Sequence, residues 1–306
     1  MKRILITGAR GFVGHHTIQY FRALGYEIVA TTTRGDHLNQ GIRWIQCNLL
    51  DSGNARRLVE EARPTHLLHL AWYTEHGRFW DGLPNLQWLR ASLEIVEAFA
   101  AAGGSRAVIA SSCAEYDWLA PSPCREFETP LRPQTLYGAC KKSVADVTNH
   151  LASLVPFSLA WFRLFHLHGP GETTARFVPS LIRSLLRGQP ALMTHGQQVR
   201  DLLHVSEVGS AIAALTDSDI RGPVNIGSGE PVRLLDVATY IADALDCQAL
   251  LRVGNLPPRP GEPADLYPDV SRLRREVGWS PRLSFAEGLD DSIAWWADSG
   301  DRDPAQ

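Results

Sequence analysis

The first half of this chain of 306 residues alternates short β-branched runs with segments of helical spacing. The predicted strands are Arg3–Thr7, Glu27–Thr33, Ile42–Cys47, His66–Ala71 and Arg106–Ser111, and the predicted helices are Phe12–Leu24, Asn54–Ala62 and Leu89–Ala102. Strands that are separated by helices run parallel, and the helices then cover both faces of the sheet. The pattern therefore predicts an α/β fold with a doubly wound parallel sheet.

The second half has a more mixed pattern. It contains one predicted strand, Val224–Ile226, and the predicted helices Arg176–Leu186, Leu234–Leu245, Ser271–Val277 and Phe285–Trp296. The segment Pro257–Pro268 holds five prolines, which predicts a loop. We predict a first domain over 1–165, to which 200–229 returns, and a smaller mixed α/β substrate domain over 166–306.

Composition excludes several classes of protein. With 30 basic against 33 acidic residues the net charge is −3, which argues against a nucleic-acid binder. Gly8 interrupts the first apolar run too early for a signal peptide, and no apolar stretch is long enough to span a membrane. The five cysteines are odd in number and lack CxxC spacing, so no disulfide framework or metal site is expected. These features predict a cytoplasmic protein.

A glycine-rich turn joins the first strand to the first helix. Gly8, Gly11 and Gly14 follow Thr7 in a GxxGxxG spacing. Such a turn lets backbone N–H groups approach a pyrophosphate, and the N-terminus of the following helix adds a favourable dipole. The position of this turn predicts a Rossmann-type dinucleotide site.

The end of the second strand bears on the choice of dinucleotide. The strand runs into Thr33 and Arg34 without an acid, and Asp36 comes only after Gly35. An acid at this place would bind the ribose hydroxyls of NAD, whereas an arginine suits a 2′-phosphate. Arg10 could reach the same phosphate. NADP(H) is therefore the preferred cofactor, with NAD(H) as the alternative.

A tyrosine and a lysine occur four residues apart at the start of a predicted helix. Tyr137 and Lys141 would share one helix face, where the ammonium would lower the pKa of the phenol. The chain has only three lysines among its 30 basic residues, which makes a lysine here informative. Tyr137 is the candidate acid or base for an alcohol–ketone interconversion. Ser112, at the end of the fifth strand, could bond the reacting oxygen.

These segments, in this order, resemble the extended short-chain dehydrogenase/reductase superfamily. The resemblance is closest to its nucleotide-sugar epimerase, dehydratase and reductase branch, and it covers nearly the whole chain. The further segments that carry it are His69–Ala71, Arg163–Pro170, Arg200–Val205, Val224–Gly229 and Val277–Pro281.

The resemblance implies a role for each matching position. Tyr137, Lys141 and Ser112 would be catalytic. The implied cofactor residues are Gly8, Arg10, Gly11, Phe12, Val13, Gly14, Arg34, Asn48, Leu49, Leu70, Ala71, Tyr137, Lys141, Phe165 and His166. The implied substrate residues are Trp72, Ser112, Cys113, His166, Phe177, Arg200 and Arg259, the two arginines holding the nucleotide diphosphate.

Some positions depart from the family pattern or have two interpretations. Cys113 and Ala114 stand where sugar-nucleotide 4,6-dehydratases carry Asp-Glu, which argues against dehydration. His166 replaces the family's substrate-contact asparagine and is either a hydrogen-bond donor to the sugar or a neutral packed histidine. The aromatic-rich segment from Trp72 to Trp80, with Tyr73 and His76, either stacks on the sugar or packs on itself.

The resemblance to 4-ketoreductases of CDP- and GDP-linked sugars implies a function. We expect NADPH-dependent reduction of the C4 keto group of a nucleotide-linked 4-keto-6-deoxy sugar. The alternatives are a nucleotide-sugar 4-epimerase with tightly bound NAD(P) and a non-enzymatic NADP(H)-binding sensor. The resemblance also implies a homodimer in which Leu89–Ala102 and Tyr137–Leu151 pack against their symmetry mates.

Overall fold

A parallel sheet of seven strands lies at the centre of the computed structural model, which describes residues 2–34 and 41–299. Its strands are β1 (Arg3–Thr7), β2 (Glu27–Thr32), β3 (Arg43–Gln46), β4 (His66–His69), β5 (Arg106–Ser112), β6 (Ser158–Leu164) and β10 (Gly222–Ile226). Their order across the sheet is β10-β6-β5-β4-β1-β2-β3. The predicted Rossmann-type doubly wound sheet is confirmed.

Helices cover both faces of this sheet. They are α1 (Phe12–Ala23), α2 (Asn54–Ala62), α3 (Pro84–Ala101), α4 (Leu136–Leu154) and α6 (Val205–Asp217). Two apolar cores result, one under α1 and α6 and one under α2, α3 and α4. The strands are buried on both sides by these cores, as expected for a parallel sheet.

A second, smaller sheet is centred on one strand. Its members are β7 (His166–His168), β9 (Val199–His204), β11 (Pro231–Arg233) and β13 (Asp265–Leu266). β7 and β13 run parallel to β9, whereas β11 runs antiparallel to it. A separate parallel pair consists of β8 (Ala191–Leu192) and β12 (Leu251–Arg252). The smaller part is therefore mixed α/β, as predicted.

The remaining helices pack against this second part. They are α5 (Phe177–Leu186), α7 (Leu234–Ala244), α8 (Ser271–Arg275) and α9 (Phe285–Ser299). Between β9 and β11 the chain crosses back to the large sheet, where α6 packs on α1 and β10 pairs with β6. The two sheets thus share the middle of the chain.

The observed elements differ from the predicted ones in a few places. The helix predicted from residue 89 begins at Pro84, and proline is well suited to a first helical turn. The predicted loop 257–268 contains the short strand β13. The strands β6, β7, β8, β9, β11 and β12 and the helix α6 were not predicted from the sequence. Gly35 and Asp36, which entered the argument about the dinucleotide, lie outside the described residues.

Candidate functional site

The glycine turn brings the carboxyl ends of β1 and β4 together. Gly8 has φ +71, and a Cβ atom there would lie 2.7 Å from the backbone nitrogen of Ala71. The Thr7 hydroxyl accepts hydrogen bonds from the backbone N–H groups of Leu70 and Ala71, at 3.2 and 3.3 Å. Only glycine allows so close an approach of two backbones, so the turn has a defined shape.

The helix that follows the turn packs directly on it. A Cβ atom at Gly14 would lie 2.2 Å from the Gly8 carbonyl oxygen, and Gly11 donates its N–H to that oxygen at 2.9 Å. α1 has no side-chain cap and no acid in its first turn, where Phe12 and Val13 lie. Its first N–H groups are therefore placed to bind an anion. This cradle fits the pyrophosphate of a dinucleotide.

The ends of β2 and β3 carry the other predicted cofactor residues. Arg34 is exposed directly after β2, in a turn where Thr32 Oγ1 accepts its backbone N–H at 3.1 Å. Asn48 is exposed after β3 and donates from its amide to Asp51, whereas Leu49 is buried. Arg10, inside the glycine turn, is half-buried. These positions therefore lie at the same edge of the sheet as the glycine turn.

The catalytic candidates meet where β5 ends and α4 begins. The side chain of Thr135 caps α4 by accepting the N–H of Gly138 at 3.1 Å. Gly138 packs so closely on the short turn after β5 that a Cβ atom there would lie 2.2 Å from the Ala114 carbonyl oxygen. This contact holds Tyr137 beside Ser112, whose hydroxyl accepts the N–H of Ala114 at 3.1 Å.

Aromatic side chains surround the half-buried Tyr137. Its ring centre lies 5.0 Å from that of Phe79, 6.0 Å from Trp80 and 6.2 Å from Trp72, all edge-on. The Tyr137 N–H also donates to the Trp80 carbonyl at 2.8 Å. The segment from Trp72 to Trp80 therefore packs on itself and on Tyr137. This was one of the two interpretations that the sequence allowed, the other being stacking on the sugar.

The pKa of Tyr137 differs from the expectation. Burial raises it to about 12, and the hydrogen bond with Ser112 and the positive charge of Arg176 act in the opposite direction. The prediction that Lys141 lowers this pKa towards neutrality is wrong for this structure. The physical reason is that loss of water around the phenol outweighs the nearby charges.

Lys141 lies in the protein interior behind the tyrosine. Its ammonium donates to the Ala110 carbonyl at 2.8 Å and lies 3.8 Å from the centre of the Trp72 ring. Burial lowers its pKa to about 7, against the opposing effect of the Glu115 carboxylate. Lys141 therefore changes its charge near neutral pH.

The residues after Ser112 give the site no second acid. Burial raises the pKa of the Cys113 thiol to about 12, so the thiol stays protonated. Glu115 is fully buried and pairs with Arg163 Nε at 2.7 Å, while the Ser111 hydroxyl donates to its other oxygen. The Glu115 carboxyl therefore belongs to the interior and not to the crevice.

Phe165 and His166 follow β6, where the chain enters the second sheet. Phe165 is buried against Tyr116, with 6.1 Å between ring centres. His166 Nδ1 is buried and has no hydrogen-bond partner, and burial lowers the pKa of this histidine to about 3. His166 is therefore neutral, with one ring nitrogen left to bind another group.

Of the two arginines predicted to hold a diphosphate, Arg200 is engaged by the protein itself. The Arg200 guanidinium donates to Glu262 and to the carbonyls of Val199, Pro263 and Ala264. Arg259 is exposed and lies 4.6 Å from the centre of the Trp80 ring. Phe177, the other predicted nucleotide contact, is half-buried at the start of α5.

Two further residues of the crevice were missed by the sequence analysis. Arg176, just before α5, lies 5.4 Å from the centre of the Phe79 ring. Glu172 is buried, and its Oε2 atom has no hydrogen-bond partner. Neither residue stands in a motif, so no local pattern could have indicated them.

Other features of the described residues lie apart from this crevice. A cavity of about 280 Å³ lined by His168, His204 and the residues before α9 contains none of the predicted site residues. Within 2–34 and 41–299, no group of three His, Cys, Asp or Glu side chains is arranged to hold a metal ion. No helix of these ranges has the length and apolar character needed to cross a membrane.

Comparisons with curated proteins give relatives over nearly the full chain. The UDP-glucuronate 4-epimerase 3 of Arabidopsis thaliana is 22% identical over 96% of this chain and 76% of its own. The CDP-abequose synthase of Salmonella typhimurium is 23% identical over 95% of this chain and 97% of its own. Other matching proteins also bear the names of nucleotide-sugar 4-epimerases.

Solved structures have the same fold. MoeE5 in complex with UDP-glucuronic acid and NAD superposes with a TM-score of 0.85 at 28% identity, covering 97% of this chain and 99% of that one. The family model described as "NAD dependent epimerase/dehydratase family" matches residues 4–227, which include the glycine turn, Ser112, Tyr137 and Lys141. The chain belongs to the NAD-dependent epimerase/dehydratase family of extended short-chain dehydrogenases/reductases.

Proposed function

We propose that this protein is a nucleotide-sugar 4-epimerase. The observation that carries the proposal is the arrangement of Ser112, Tyr137 and Lys141 beside a glycine turn that fits a pyrophosphate. The relatives named as 4-epimerases support this reaction over net reduction. The NAD in the MoeE5 complex supports NAD as the resident cofactor.

In this proposal Tyr137 transfers a proton and Lys141 supplies positive charge. Tyr137 is placed to exchange a proton with the oxygen on C4 of the sugar, and Ser112 to hydrogen-bond that oxygen. Because burial favours the protonated phenol, removal of the C4 hydroxyl proton would use its minor phenolate form. Lys141 supplies positive charge on the far side of the phenol, within a ring of aromatic side chains that excludes water. A nicotinamide dinucleotide held at the glycine turn would supply reversible hydride transfer at C4.

Removal of water from the sugar is not favoured. That reaction needs a further acid–base pair at the sugar, and the positions after Ser112 hold a protonated thiol and an alanine. The acid that follows, Glu115, is paired with Arg163 in the interior. The described geometry thus supports chemistry at a single carbon.

A second candidate is the NADPH-dependent reduction of a nucleotide-linked 4-keto-6-deoxy sugar. The observation that favours it is the exposed Arg34 after β2, where a guanidinium suits a 2′-phosphate. The similarity to CDP-abequose synthase also supports it. The cofactor would then be NADP(H), consumed once per turnover.

One assay separates the two candidates. The protein is incubated with UDP-glucose and UDP-glucuronate and, separately, with NADPH and a 4-keto-6-deoxy sugar nucleotide. The sugar products are resolved by chromatography, and reduced nicotinamide is followed by absorbance. An epimerase converts each substrate to its C4 epimer with no net change in reduced cofactor. Consumption of NADPH with a 4-keto sugar nucleotide, without any epimer, would overturn the epimerase proposal and support the reductase.

A further inference from the structure

Arg176 carries a positive charge into the crevice. Its guanidinium forms no hydrogen bond or ion pair with the residues that the structure describes, and it lies 5.4 Å from the centre of the Phe79 ring. A half-buried guanidinium of this kind retains all of its donors for a ligand.

This guanidinium lies at the reacting end of the crevice. The Phe79 ring on which it lies is 5.0 Å from the Tyr137 ring, centre to centre. Its positive charge also lowers the pKa of both Tyr137 and His166. Arg176 is therefore a neighbour of the sugar position and not only of the nucleotide.

Arg176 differs from the other cations of the described crevice in combining partial burial with free donors, since Arg259, which also lies on a ring beside Tyr137, is exposed. Arg200 is committed to Glu262 and three backbone carbonyls, and Arg259 lies on Trp80. Lys141 is behind Tyr137 and donates to Ala110.

The nearby Glu172 does not neutralise Arg176. The Glu172 side chain is only 6% exposed, and burial raises its pKa to about 8, so the carboxyl is protonated and neutral at pH 7. No ion pair joins the two side chains within the described structure. The charge of Arg176 is thus left for a bound anion.

We infer that Arg176 is a specificity-determining residue that selects a sugar bearing a carboxylate, a hexuronate, and binds that carboxylate through its guanidinium. Planar guanidinium and carboxylate groups pair through two parallel hydrogen bonds, which gives both charge and shape selectivity. This inference rests on the proposed function, because it places the sugar beside Tyr137.

The test measures ligand affinity, and the assay for C4 epimers described above measures turnover. Affinities for UDP-glucuronate, UDP-glucose and UDP are determined by calorimetry for the wild type, for Arg176→Gln and for the control Arg187→Gln, which lies at the far end of α5. We expect wild-type protein to prefer UDP-glucuronate, and Arg176→Gln to lose about 10- to 100-fold of affinity for it alone. The control variant should keep the wild-type preference.

Other outcomes would overturn the inference. Equal wild-type affinity for the two sugar nucleotides, or no binding of UDP-glucuronate, would do so. An equal loss for all three ligands in Arg176→Gln would make Arg176 a diphosphate ligand instead. Failure of the proposed function is distinct from these results, because it would appear as preferential binding of UDP-glucuronate without formation of a C4 epimer.

Discussion

The Nζ atom of Lys141 lies 3.8 Å from the centre of the Trp72 indole ring. That indole also donates from Nε1 to Asn85 at 2.8 Å, which holds the ring in place. One face of Trp72 is therefore covered by the ammonium, and a cation over an aromatic face is stabilised by the ring quadrupole. The contact gives the buried lysine a partner other than a carboxylate.

Replacing Tyr137 with phenylalanine removes the proton donor and keeps the ring contacts. We expect turnover to fall by about 10²- to 10⁴-fold, the usual contribution of a positioned acid–base group, with cofactor affinity nearly unchanged. Steady-state kinetics and cofactor titration measure both. As a control, Tyr240→Phe removes a hydroxyl that contacts Asp290 on a surface remote from Tyr137. Near-normal turnover of Tyr137→Phe would refute the assignment.

The charge of Lys141 predicts a pH dependence. Because burial lowers its pKa to about 7, the ammonium predominates below that pH and is lost as the pH rises through it. If the charge assists catalysis, kcat/KM should decline above about pH 7, since kcat/KM reports groups of the free enzyme. Lys141→Arg, which keeps its charge, should remove the decline. A profile of the wild type that stays level through neutral pH would contradict this prediction.

Gly14→Ala tests the packing of α1 on the glycine turn. The added methyl group would lie 2.2 Å from the Gly8 carbonyl oxygen, so the helix or the turn must move. We expect a loss of about 1–3 kcal/mol in the free energy of unfolding, as for other overpacked sites, together with weaker dinucleotide binding. Chemical denaturation and cofactor titration check this. The neighbouring exposed His15→Ala should change neither quantity.

Arg34→Gln tests the choice of dinucleotide. Since a guanidinium contributes charge-assisted hydrogen bonds to a 2′-phosphate, we expect about tenfold weaker binding of NADP(H) and unchanged binding of NAD. Fluorescence titration with the two reduced cofactors gives the two dissociation constants. Unchanged NADP(H) affinity would show that Arg34 does not contact the phosphate.

The homodimer that the resemblance implies remains a prediction. α3 and α4 pack side by side, and the Leu86 and Val147 side chains on them are exposed. We expect twice the chain mass by light scattering, and a monomer for Val147→Glu, because a buried charge opposes association. Leu119→Glu, an equally apolar exposed position outside these helices, should stay dimeric. A wild-type monomer would be decisive against the prediction.

The large sheet could be predicted because its signals are local. Each of the first strands is a short apolar run, and Gly8 marks the turn at which the chain enters α1. β6 and β9 were missed because Arg163 in one and Arg200 and Asp201 in the other interrupt their apolar patterns. Those charges are buried by partners far away in sequence, which no local pattern shows.

The catalytic pair of the candidate site could be predicted from the sequence, but the surroundings of the site could not. Tyr137 and Lys141 are four residues apart, so their shared helix face follows from helix geometry. The high pKa of Tyr137 and the engagement of Arg200 with Glu262 could not be predicted, because both depend on which distant segments exclude water. Arg176 and Glu172 were missed for the same reason, because their surroundings are formed by segments far away in the sequence.

The return of the chain to the large sheet has a consequence for dividing the protein. β10 pairs with β6 along its whole length, yet it follows β9 of the smaller sheet in the chain. A fragment that ended before residue 166 would leave the hydrogen-bonding groups of β6 without their neighbour and open the core beneath α6. An exchange of substrate-binding parts between relatives must therefore carry three crossover points, one near residue 166, one before α6 and one after β10.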